Sequence, residues 1–154
     1  MAEVWSARVV GTHPGEDRFF AVKLLASHLA ERAEYRDMFL AEARLSMMLG
    51  HRNIVKVYDA VAADQDCYMV MELVSGMTLS QFQRALARSM TELPLTLTAY
   101  IIGELLRALS YAHSVRTDEG SVIVHRDVSP QNVMVTTEGE VKLMDFGIAR
   151  FASQ

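Results

Sequence analysis

The chain has 154 residues, of which 51% are hydrophobic, so it can bury a core, and its length favours a single domain. The formal net charge of −4 argues against nucleic acid or an anionic membrane as the main partner. Cys67 is the only cysteine, which excludes a disulfide framework and fits a reducing cytosol. No apolar run approaches the roughly 18 residues of a membrane span, and the N-terminus lacks the basic and then apolar order of a signal peptide. These features predict a cytoplasmic chain without a membrane segment.

The first half of the chain has the pattern of an antiparallel sheet with one helix. The runs EVWSARVVG and RFFAVKLLA flank a polar segment with the turn signal Pro14-Gly15, which predicts a β-hairpin. Between Leu29 and Leu49, apolar residues recur every three or four positions, which predicts a helix stopped by Gly50. The runs NIVKVYDAVA and CYMVMEL, separated by ADQD, predict a second strand pair.

The second half is predicted to be mainly helical, with a small sheet. After a connector at LVSGMTL, a short helix is expected over 79–90 and a longer one over LPLTLTAYIIGELLRALSYAHS. VIVH, NVMVT and EVKLM are predicted as short strands. The predicted buried side of the longer helix consists of Ile102, Leu105, Leu106, Leu109 and Ala112. With a linker near 74–76, this order predicts two lobes joined by a hinge.

Two charged residues interrupt apolar patterns in the first half. Lys23 lies in the middle of RFFAVKLLA, on the same strand face as Ala21 and Leu25. Glu42 lies within the apolar stripe of the predicted helix. Each residue alone could occupy a boundary position with a solvated charge, as lysine often does. Because an unpaired buried charge is costly, the two together predict a Lys23–Glu42 ion pair.

The segment NVMVTTEGEVKLMD predicts a hairpin with its turn at Glu138-Gly139. This turn places Asn132 directly opposite Asp145, at the open end of the hairpin. A carboxylate and an amide oxygen side by side suit Mg²⁺, which takes its remaining ligands from water and substrate phosphates. The alternative is that Asn132 merely caps a turn and Asp145 begins one.

In this order, the residues resemble the signature motifs of the protein kinases. AVK matches the strand that carries the catalytic lysine, here Lys23, and Glu42 matches its glutamate partner. HRDVSPQN matches the catalytic loop, and Asp145-Phe146-Gly147 matches the DFG motif. A lone DFG would carry little weight, but four motifs in sequence are specific. The runs AEVW, HRDVSPQN and DFGIAR are similar to those of bacterial serine/threonine kinases.

The resemblance implies an α+β, two-lobed protein-kinase-like fold that is incomplete at both ends. Residues 1–72 would form the N-lobe, an antiparallel sheet with one helix, and 73–76 the hinge. Residues 77–154 would form the start of a mainly helical C-lobe, through DFG. The implied function is ATP-dependent phosphoryl transfer to serine or threonine hydroxyls of protein substrates in signal transduction.

The resemblance also implies a role for each matching residue. Asp127 would accept or orient the proton of the substrate hydroxyl, and Lys23, fixed by Glu42, would reach the α- and β-phosphates of ATP. Asn132 and Asp145 would hold Mg²⁺. The residues expected to bind the nucleotide are Val4, Ala21, Lys23, Met71, Glu72, Val74, Met134 and Asp145, with Met71 as the gatekeeper and the backbones of Glu72 and Val74 as the hinge.

The chain departs from the family pattern in three places. Ser129 stands where serine/threonine kinases usually carry a lysine, and a neutral hydroxyl supplies no charge to the γ-phosphate. Aligning Val4 with the valine of the glycine-rich loop leaves that loop and the first strand missing. The sequence also ends at Gln154, before an activation segment. Taken together, these departures predict a truncated piece with weak activity or none.

Two other interpretations are open. Small-molecule kinases share the fold, but they tend to have a different metal motif and lack the arginine of HRD. A non-catalytic module that binds nucleotide or a partner is favoured by Ser129 and the missing segments. It is opposed by the intact set of Lys23, Glu42, Asp127, Asn132 and Asp145.

Overall fold

A computed structural model describes residues 2–9, 18–63 and 66–146 of the chain. These residues fall into two compact units. Among the described residues, the first unit takes those up to 48 and 56–73, and the second takes 49–55 and 74–146. Residues 49–55 therefore belong to the second unit, although in sequence they lie between two segments of the first.

The first unit is built on a four-stranded antiparallel sheet. Its strands are β1 (Ala2–Val9), β2 (Arg18–Leu25), β3 (Val57–Ala63) and β4 (Asp66–Glu72), in the order β1-β2-β4-β3. Apolar and β-branched residues dominate β2 and β4, and such side chains pack well on a pleated surface. Both predicted strand pairs are confirmed. The Pro14-Gly15 turn and part of the ADQD connector lie outside the described residues.

The predicted helix over 29–49 is wrong in its bounds, because two helices occupy this stretch. They are α1 (Ser27–Ala30) and α2 (Ala33–Met47), and Arg32 between them has extended backbone angles of φ −95° and ψ 117°. Gly50 does not stop the helix, since α2 already ends at the cap residue Met48. Leu49 continued the apolar pattern because it is buried, although it lies in the second unit. The apolar spacing therefore continues to Leu49, two residues beyond the last residue of α2.

The core of the first unit lies between α2 and the sheet. α2 packs against β3 and β4, and its buried residues include Phe39 and Ala43. The sheet contributes alternate residues, as expected when one face of each strand is covered. The buried apolar residues of the sheet are Ala21, Val57, Cys67, Met69 and Met71.

In its described residues, the second unit combines two helices with a three-stranded sheet. Its elements are β5 (Gly76–Thr78), α3 (Leu79–Arg88), α4 (Leu95–Ser114), β6 (Val133–Thr136) and β7 (Val141–Leu143), with the antiparallel strand order β5-β6-β7. A capping box of Thr78 and Gln81 begins α3. At Gly76 a Cβ atom would lie 2.2 Å from the carbonyl oxygen of Val135, so only glycine fits there.

The buried face of α4 agrees only in part with the predicted one, because Ala112 is buried and Leu105 and Leu109 are half-buried. Ile102 and Leu106 are 51% and 61% exposed, whereas the buried residues are Ile101, Glu104, Ala108 and Ala112. The helix is apolar on most of its circumference, so the spacing of apolar residues could not select a face. Glu104 carries a charge on the side that is buried, which the pattern did not anticipate.

The predicted strand VIVH does not form in residues 122–125, all of which are described. Its pairing is limited to a single bridge between Arg116 and Val122. The β6–β7 pair, in contrast, was predicted and is confirmed. No helix within residues 2–9, 18–63 and 66–146 is long and apolar enough to cross a membrane.

The register of the β6–β7 hairpin differs by one residue from the predicted register. Val133 pairs with Leu143, and the Met144 amide donates to the Asn132 carbonyl at 2.9 Å. Gly139 has φ +85°, and the Thr136 amide donates to the Glu140 carbonyl at 2.9 Å, so the turn contains three residues. A three-residue turn is centred on its middle residue, here Glu138, and not on the bond between Glu138 and Gly139. The strand pairing is therefore shifted by one residue. The predicted pairing of Asn132 with Asp145 is therefore wrong.

Candidate active site

The first unit holds a buried ion pair. Lys23 Nζ lies 3.0 Å from Glu42 Oε1, and the side chains are only 13% and 9% exposed. β2 brings Lys23 to the sheet face shared by Ala21, and α2 contributes Glu42 from its buried side. The ion pair predicted from two misplaced charges is confirmed. It fixes an ammonium group on a sheet surface, which is an arrangement suited to a phosphate.

The other candidate residues of the first unit lie close to this pair in the sheet. Val4 is the register partner of Lys23, and Ala21 is the register partner of Met71. Ala21 and Met71 are buried, whereas Val4 is exposed. Glu72 ends β4, and its amide donates to the Lys56 carbonyl at 2.8 Å.

In the second unit, the segment HRDVSPQN (residues 125–132) begins with a buried histidine. His125 is 1% exposed, and its ring packs on Phe146 with centroids 4.6 Å apart. Nε2 lies 3.0 Å from the Met144 carbonyl oxygen, and Nδ1 accepts from the Asp127 amide at 3.2 Å. These two contacts need a proton on Nε2 and none on Nδ1, which is the neutral ring. Burial lowers the pKa of His125, with the Met144 carbonyl and the charges of Asp127 and Asp145 opposing it.

An asparagine holds the candidate base. Asn132 Nδ2 donates to the Asp127 carboxylate oxygen Oδ2 at 3.1 Å and to the Asp127 backbone carbonyl at 2.9 Å. The Asn132 amide nitrogen in turn donates to the Ser129 carbonyl at 2.9 Å, which closes the loop. Because Nδ2 is engaged by Asp127, the oxygen Oδ1 of Asn132 is directed away from that carboxylate. The loop thus fixes the carboxylate of Asp127 and leaves an amide oxygen as a hard acceptor.

Two residues of the site have strained backbone angles, one beside His125 and one just beyond β7. Arg126 has φ +64° and Asp145 has φ +56°, in the left-handed region that non-glycine residues seldom adopt. Among the described residues, Met90 is the one other non-glycine residue with positive φ. Such strain persists where the surrounding contacts over-determine the backbone, and it clusters at functional sites.

The metal-site prediction loses its original basis, because the hairpin register on which it relied is wrong. Asp145 lies beyond the end of β7, so strand alternation does not determine the direction of its side chain. No cluster of three or more histidine, cysteine, aspartate or glutamate residues that could hold a metal occurs in the described ranges. The oxygens available from Asp145 and Asn132 still suit Mg²⁺, which needs one or two carboxylates when phosphates and waters complete its shell. The donor chemistry therefore fits the ion.

The remaining candidates, Met134 and Val74, lie in the second unit. Met134 is half-buried in β6, between Thr78 of β5 and Lys142 of β7. Val74 is half-buried at the start of the unit. Gly147 of the DFG motif lies outside the described residues.

A polar cluster that the sequence pattern did not predict lies beside β7. Asn53 Nδ2 donates to Glu104 Oε2 and to the Val141 carbonyl, each at 2.8 Å. Glu104 also accepts from Arg52 Nη2 at 3.3 Å and from Arg107. The hydrogen bond from Asn53 is the main cause that lowers the pKa of Glu104, although burial opposes it. The available signal was Glu104 itself, a charge within the apolar run IIGELLRAL.

Comparison with known proteins gives one consistent result. The sequence matches the protein kinase domain family over residues 6–154. It is 34% identical to the tyrosine-protein kinase MasK of Myxococcus xanthus, over 100% of this chain and 24% of that protein. It is 36% identical to the serine/threonine-protein kinase PknA of Mycobacterium tuberculosis, over 97% of this chain and 33% of that protein.

Solved structures agree with the sequence relatives. The kinase domain of PknI from Mycobacterium tuberculosis superposes with a TM-score of 0.73 at 32% identity. The match covers 97% of this chain and 56% of that one. The chain thus spans about a third or less of the two curated relatives named above and about half of the solved kinase domain. With its antiparallel-sheet unit and its largely helical unit, the chain belongs to the protein kinase domain family.

Proposed function

We propose that this chain carries phosphoryl-transfer groups of a protein kinase, which moves the γ-phosphoryl group of ATP to a serine or threonine hydroxyl of a protein substrate in signalling. The observation that carries the proposal is the buried Lys23–Glu42 pair at 3.0 Å. In protein kinases this pair must be in place for phosphoryl transfer. The family match supports the same activity.

In the first unit, Lys23 is the proposed contact to the α- and β-phosphates, and Glu42 fixes its position. The pairing restricts a side chain that otherwise has four rotatable bonds, so a phosphate meets an ammonium already in place. Val4, Ala21 and Met71 are proposed to contact the adenine, with the backbone of Glu72. Val74 and Met134 of the second unit are proposed for the same ligand.

In the second unit, Asp127 is the proposed acceptor of the substrate hydroxyl proton. Its amide donates to neutral His125 and its carboxylate accepts from Asn132, so both ends of the residue are fixed. A fixed carboxylate loses less freedom when the hydroxyl arrives. Asn132 and Asp145 are the proposed ligands of Mg²⁺, which neutralises charge on the phosphates when bound.

The class of hydroxyl is proposed from the names that the relatives carry. PknA is named a serine/threonine kinase and MasK a tyrosine kinase, and both are about equally similar to this chain. Ser129 offers a hydroxyl where serine/threonine kinases usually have a lysine. The serine/threonine assignment therefore follows the larger number of relatives with that name. A cytosolic location is proposed on the single cysteine, Cys67, which is free and buried.

The test combines ATP binding with phosphoryl transfer. The chain is titrated with ATP in the presence and absence of Mg²⁺, and then incubated with labelled ATP and a generic protein substrate. Asp127→Asn should bind ATP as the wild type does but lower transfer by about a hundredfold or more, the usual contribution of a general base. Asp118→Asn, at an exposed aspartate of the same unit, is the matched control and should transfer normally.

Three outcomes distinguish the alternatives. Transfer that depends on Asp127 supports the kinase, and analysis of the labelled amino acid identifies the hydroxyl. Mg²⁺-dependent ATP binding by the wild type without any transfer contradicts transfer by this chain, and it is the result expected of a non-catalytic nucleotide-binding module or of the weak activity predicted from the sequence. Equal transfer by the wild type and Asp127→Asn contradicts the role of Asp127.

A further inference from the structure

The side chain of Asn53 uses both of its amide hydrogens inside the second unit. Asn53 is 1% exposed, and Nδ2 donates to Glu104 Oε2 and to the Val141 carbonyl, each at 2.8 Å. An amide group has two such hydrogens, so its donor capacity is filled. A flipped amide would direct its oxygen at two acceptors, which fixes the orientation. Asn53 is therefore a rigid link from α4 to β7.

The backbone around Asn53 is joined to the same strand. The Leu143 amide donates to the Asn53 carbonyl at 2.8 Å, and the Val55 amide donates to the Leu143 carbonyl at 2.9 Å. Ile54 and Leu143 form a parallel bridge between these two hydrogen bonds. β7 is the last strand of its sheet, with β6 on one side. Residues 53–55 therefore hold the edge of β7 that β6 leaves free.

Glu104 is an unusual choice for the position that orients Asn53. It is 3% exposed and lies on the buried face of α4, where an apolar residue would pack at a lower desolvation cost. Arg52 and Arg107 supply compensating charge from the surface. An apolar residue could not accept the hydrogen bond from Asn53, so the carboxylate is what determines how the amide is turned.

The strand that Asn53 holds leads directly to Asp145. After Leu143, the Met144 amide donates to Asn132 and the Met144 carbonyl accepts from His125, and Asp145 follows with φ +56°. A strained residue keeps its conformation only if its neighbours are fixed. A shift of β7 by one residue would also turn its side chains to the opposite face.

From these contacts we infer that Glu104, acting through Asn53, is a positioning residue for Asp145. Glu104 orients the Asn53 amide, the amide and the backbone of 53–55 fix β7, and β7 fixes the point at which Asp145 leaves the strand. The inference rests on the proposed function, in which Asp145 is a ligand of Mg²⁺. It goes beyond that function by assigning a role to Glu104. This residue acts on β7 through Asn53, on the side of the strand opposite to Asn132.

The experiment compares three variants with the wild-type chain. Glu104→Leu removes the acceptor at similar volume, Glu104→Gln keeps an acceptor, and Glu140→Gln removes an exposed carboxylate in the β6–β7 hairpin as the matched control. The first measurement is the ratio of ATP affinities with and without Mg²⁺, taken where all variants are folded. The second is amide hydrogen exchange of residues 141–146, which needs no ligand.

For Glu104→Leu, the Mg²⁺ enhancement should fall and exchange of 141–146 should rise by about tenfold each, the effect of losing one buried hydrogen-bond link. For Glu104→Gln, both quantities should stay within about threefold of the wild type, because a neutral acceptor keeps most of the hydrogen bond. For Glu140→Gln they should do the same, because its side chain is exposed and is not the acceptor from Asn53. If Glu104→Leu does not fold, Asn53→Ala gives the same two measurements. A residue that only stabilises the unit would lower the melting temperature and leave the Mg²⁺ enhancement unchanged.

The outcomes separate this inference from the proposed function. If the wild type binds ATP without any Mg²⁺ enhancement, the proposed function and the role of Asp145 are both overturned. If the wild type shows the enhancement and Glu104→Leu retains it, the inference alone is overturned. Loss of the enhancement with unchanged exchange of 141–146 would also overturn it, because the effect would not pass through β7.

Discussion

Two glutamates are buried in the middle of helices, one in each compact unit, and their charges are compensated in different ways. Glu42 of α2 pairs with the ammonium of Lys23, and both side chains are nearly inaccessible. Glu104 of α4 accepts from Asn53 and from two arginines whose side chains are 68% and 67% exposed. The first carboxylate pairs with an ammonium that is itself nearly inaccessible, whereas the second accepts from a buried amide and from two exposed guanidinium groups.

This difference determines what each carboxylate can do. A buried ion pair is costly to break, because the remaining charge has no water to replace its partner. Lys23 is therefore held tightly, as its proposed contact to phosphate would require. If one of the two arginines beside Glu104 is lost, the other still compensates its charge. Asn53 is the partner that links Glu104 to β7, through its hydrogen bond to the Val141 carbonyl. Glu42 thus fixes the Lys23 ammonium, whereas Glu104 orients the side-chain amide of Asn53.

The largest effect is expected from Lys23→Met. This change removes the Lys23 ammonium from a nearly inaccessible carboxylate and should lower the free energy of unfolding by about 3–5 kcal/mol at neutral pH. Urea denaturation of the wild type and the variant measures the difference. The double variant Lys23→Met with Glu42→Leu should recover most of the loss, since neither charge is then buried alone. A cost below about 1 kcal/mol for the single variant would show that the pair is effectively solvated.

A smaller effect is expected from Asn53→Ala in the second unit. It removes the donors to Glu104 and Val141 and should lower the free energy of unfolding by about 1–3 kcal/mol. The loss should be smaller than for Lys23→Met, because both arginines still compensate the charge of Glu104. Denaturation under the same conditions provides the comparison. A greater loss than that of Lys23→Met would reverse the ranking of the two carboxylates.

Acid should affect His125 before Glu104. Burial lowers the pKa of His125 below its ordinary 6.5, so the unfolded chain binds a proton first and stability falls as the pH drops through that value. The stability loss should reach up to about 1 kcal/mol by about pH 5.5. The pKa of Glu104 is lowered from 4.5, so its stabilisation is present above that pH and is lost as the pH falls through the lower folded value.

Denaturation curves at several pH values test this order, with His125→Gln and Glu104→Gln as the variants. The stability difference between wild type and His125→Gln should shrink between about pH 8 and about pH 5.5. The difference for Glu104→Gln should stay constant over that interval and shrink only in more acidic buffer. A change for Glu104→Gln in the neutral range would mean that its pKa is raised instead.

The smallest effects are expected from Arg52→Ala and Arg107→Ala. Each arginine is mostly exposed, and exposed pairs contribute about 0–1 kcal/mol, so each single variant should lose about 0.5 kcal/mol or less. The loss should decrease further in high salt, which screens exposed charges. A double variant that loses clearly more than the two singles together would show that each arginine substitutes for the other.

The strand pairs and the Lys23–Glu42 pair could be predicted because each depends on a local signal. Alternating apolar residues mark strands, and a charge in an apolar run calls for a partner with the opposite charge. The same signal existed at Glu104, but its neutral partner Asn53 lies in a loop and has no charge to reveal it. A carboxylate can be satisfied by an amide that no charge pattern identifies.

The remaining errors have equally physical causes. The hairpin register depended on the length of its turn, which Gly139 sets through its backbone angle and not through any apolar pattern. The buried face of α4 could not be selected because apolar residues occur on most sides of that helix. The break at Arg32 between α1 and α2 has no marker in the apolar spacing.

Gly76 shows that exposure and tolerance to mutation need not agree. The residue is exposed in β5, and a survey of all substitutions would normally find such a position permissive. Yet the first side-chain atom of any other residue would lie 2.2 Å from the Val135 carbonyl oxygen and 2.8 Å from the Thr136 Cα. Even alanine would have to push β5 away from β6. In a complete mutational scan, this position should appear as intolerant as the core, with alanine rejected as firmly as tryptophan.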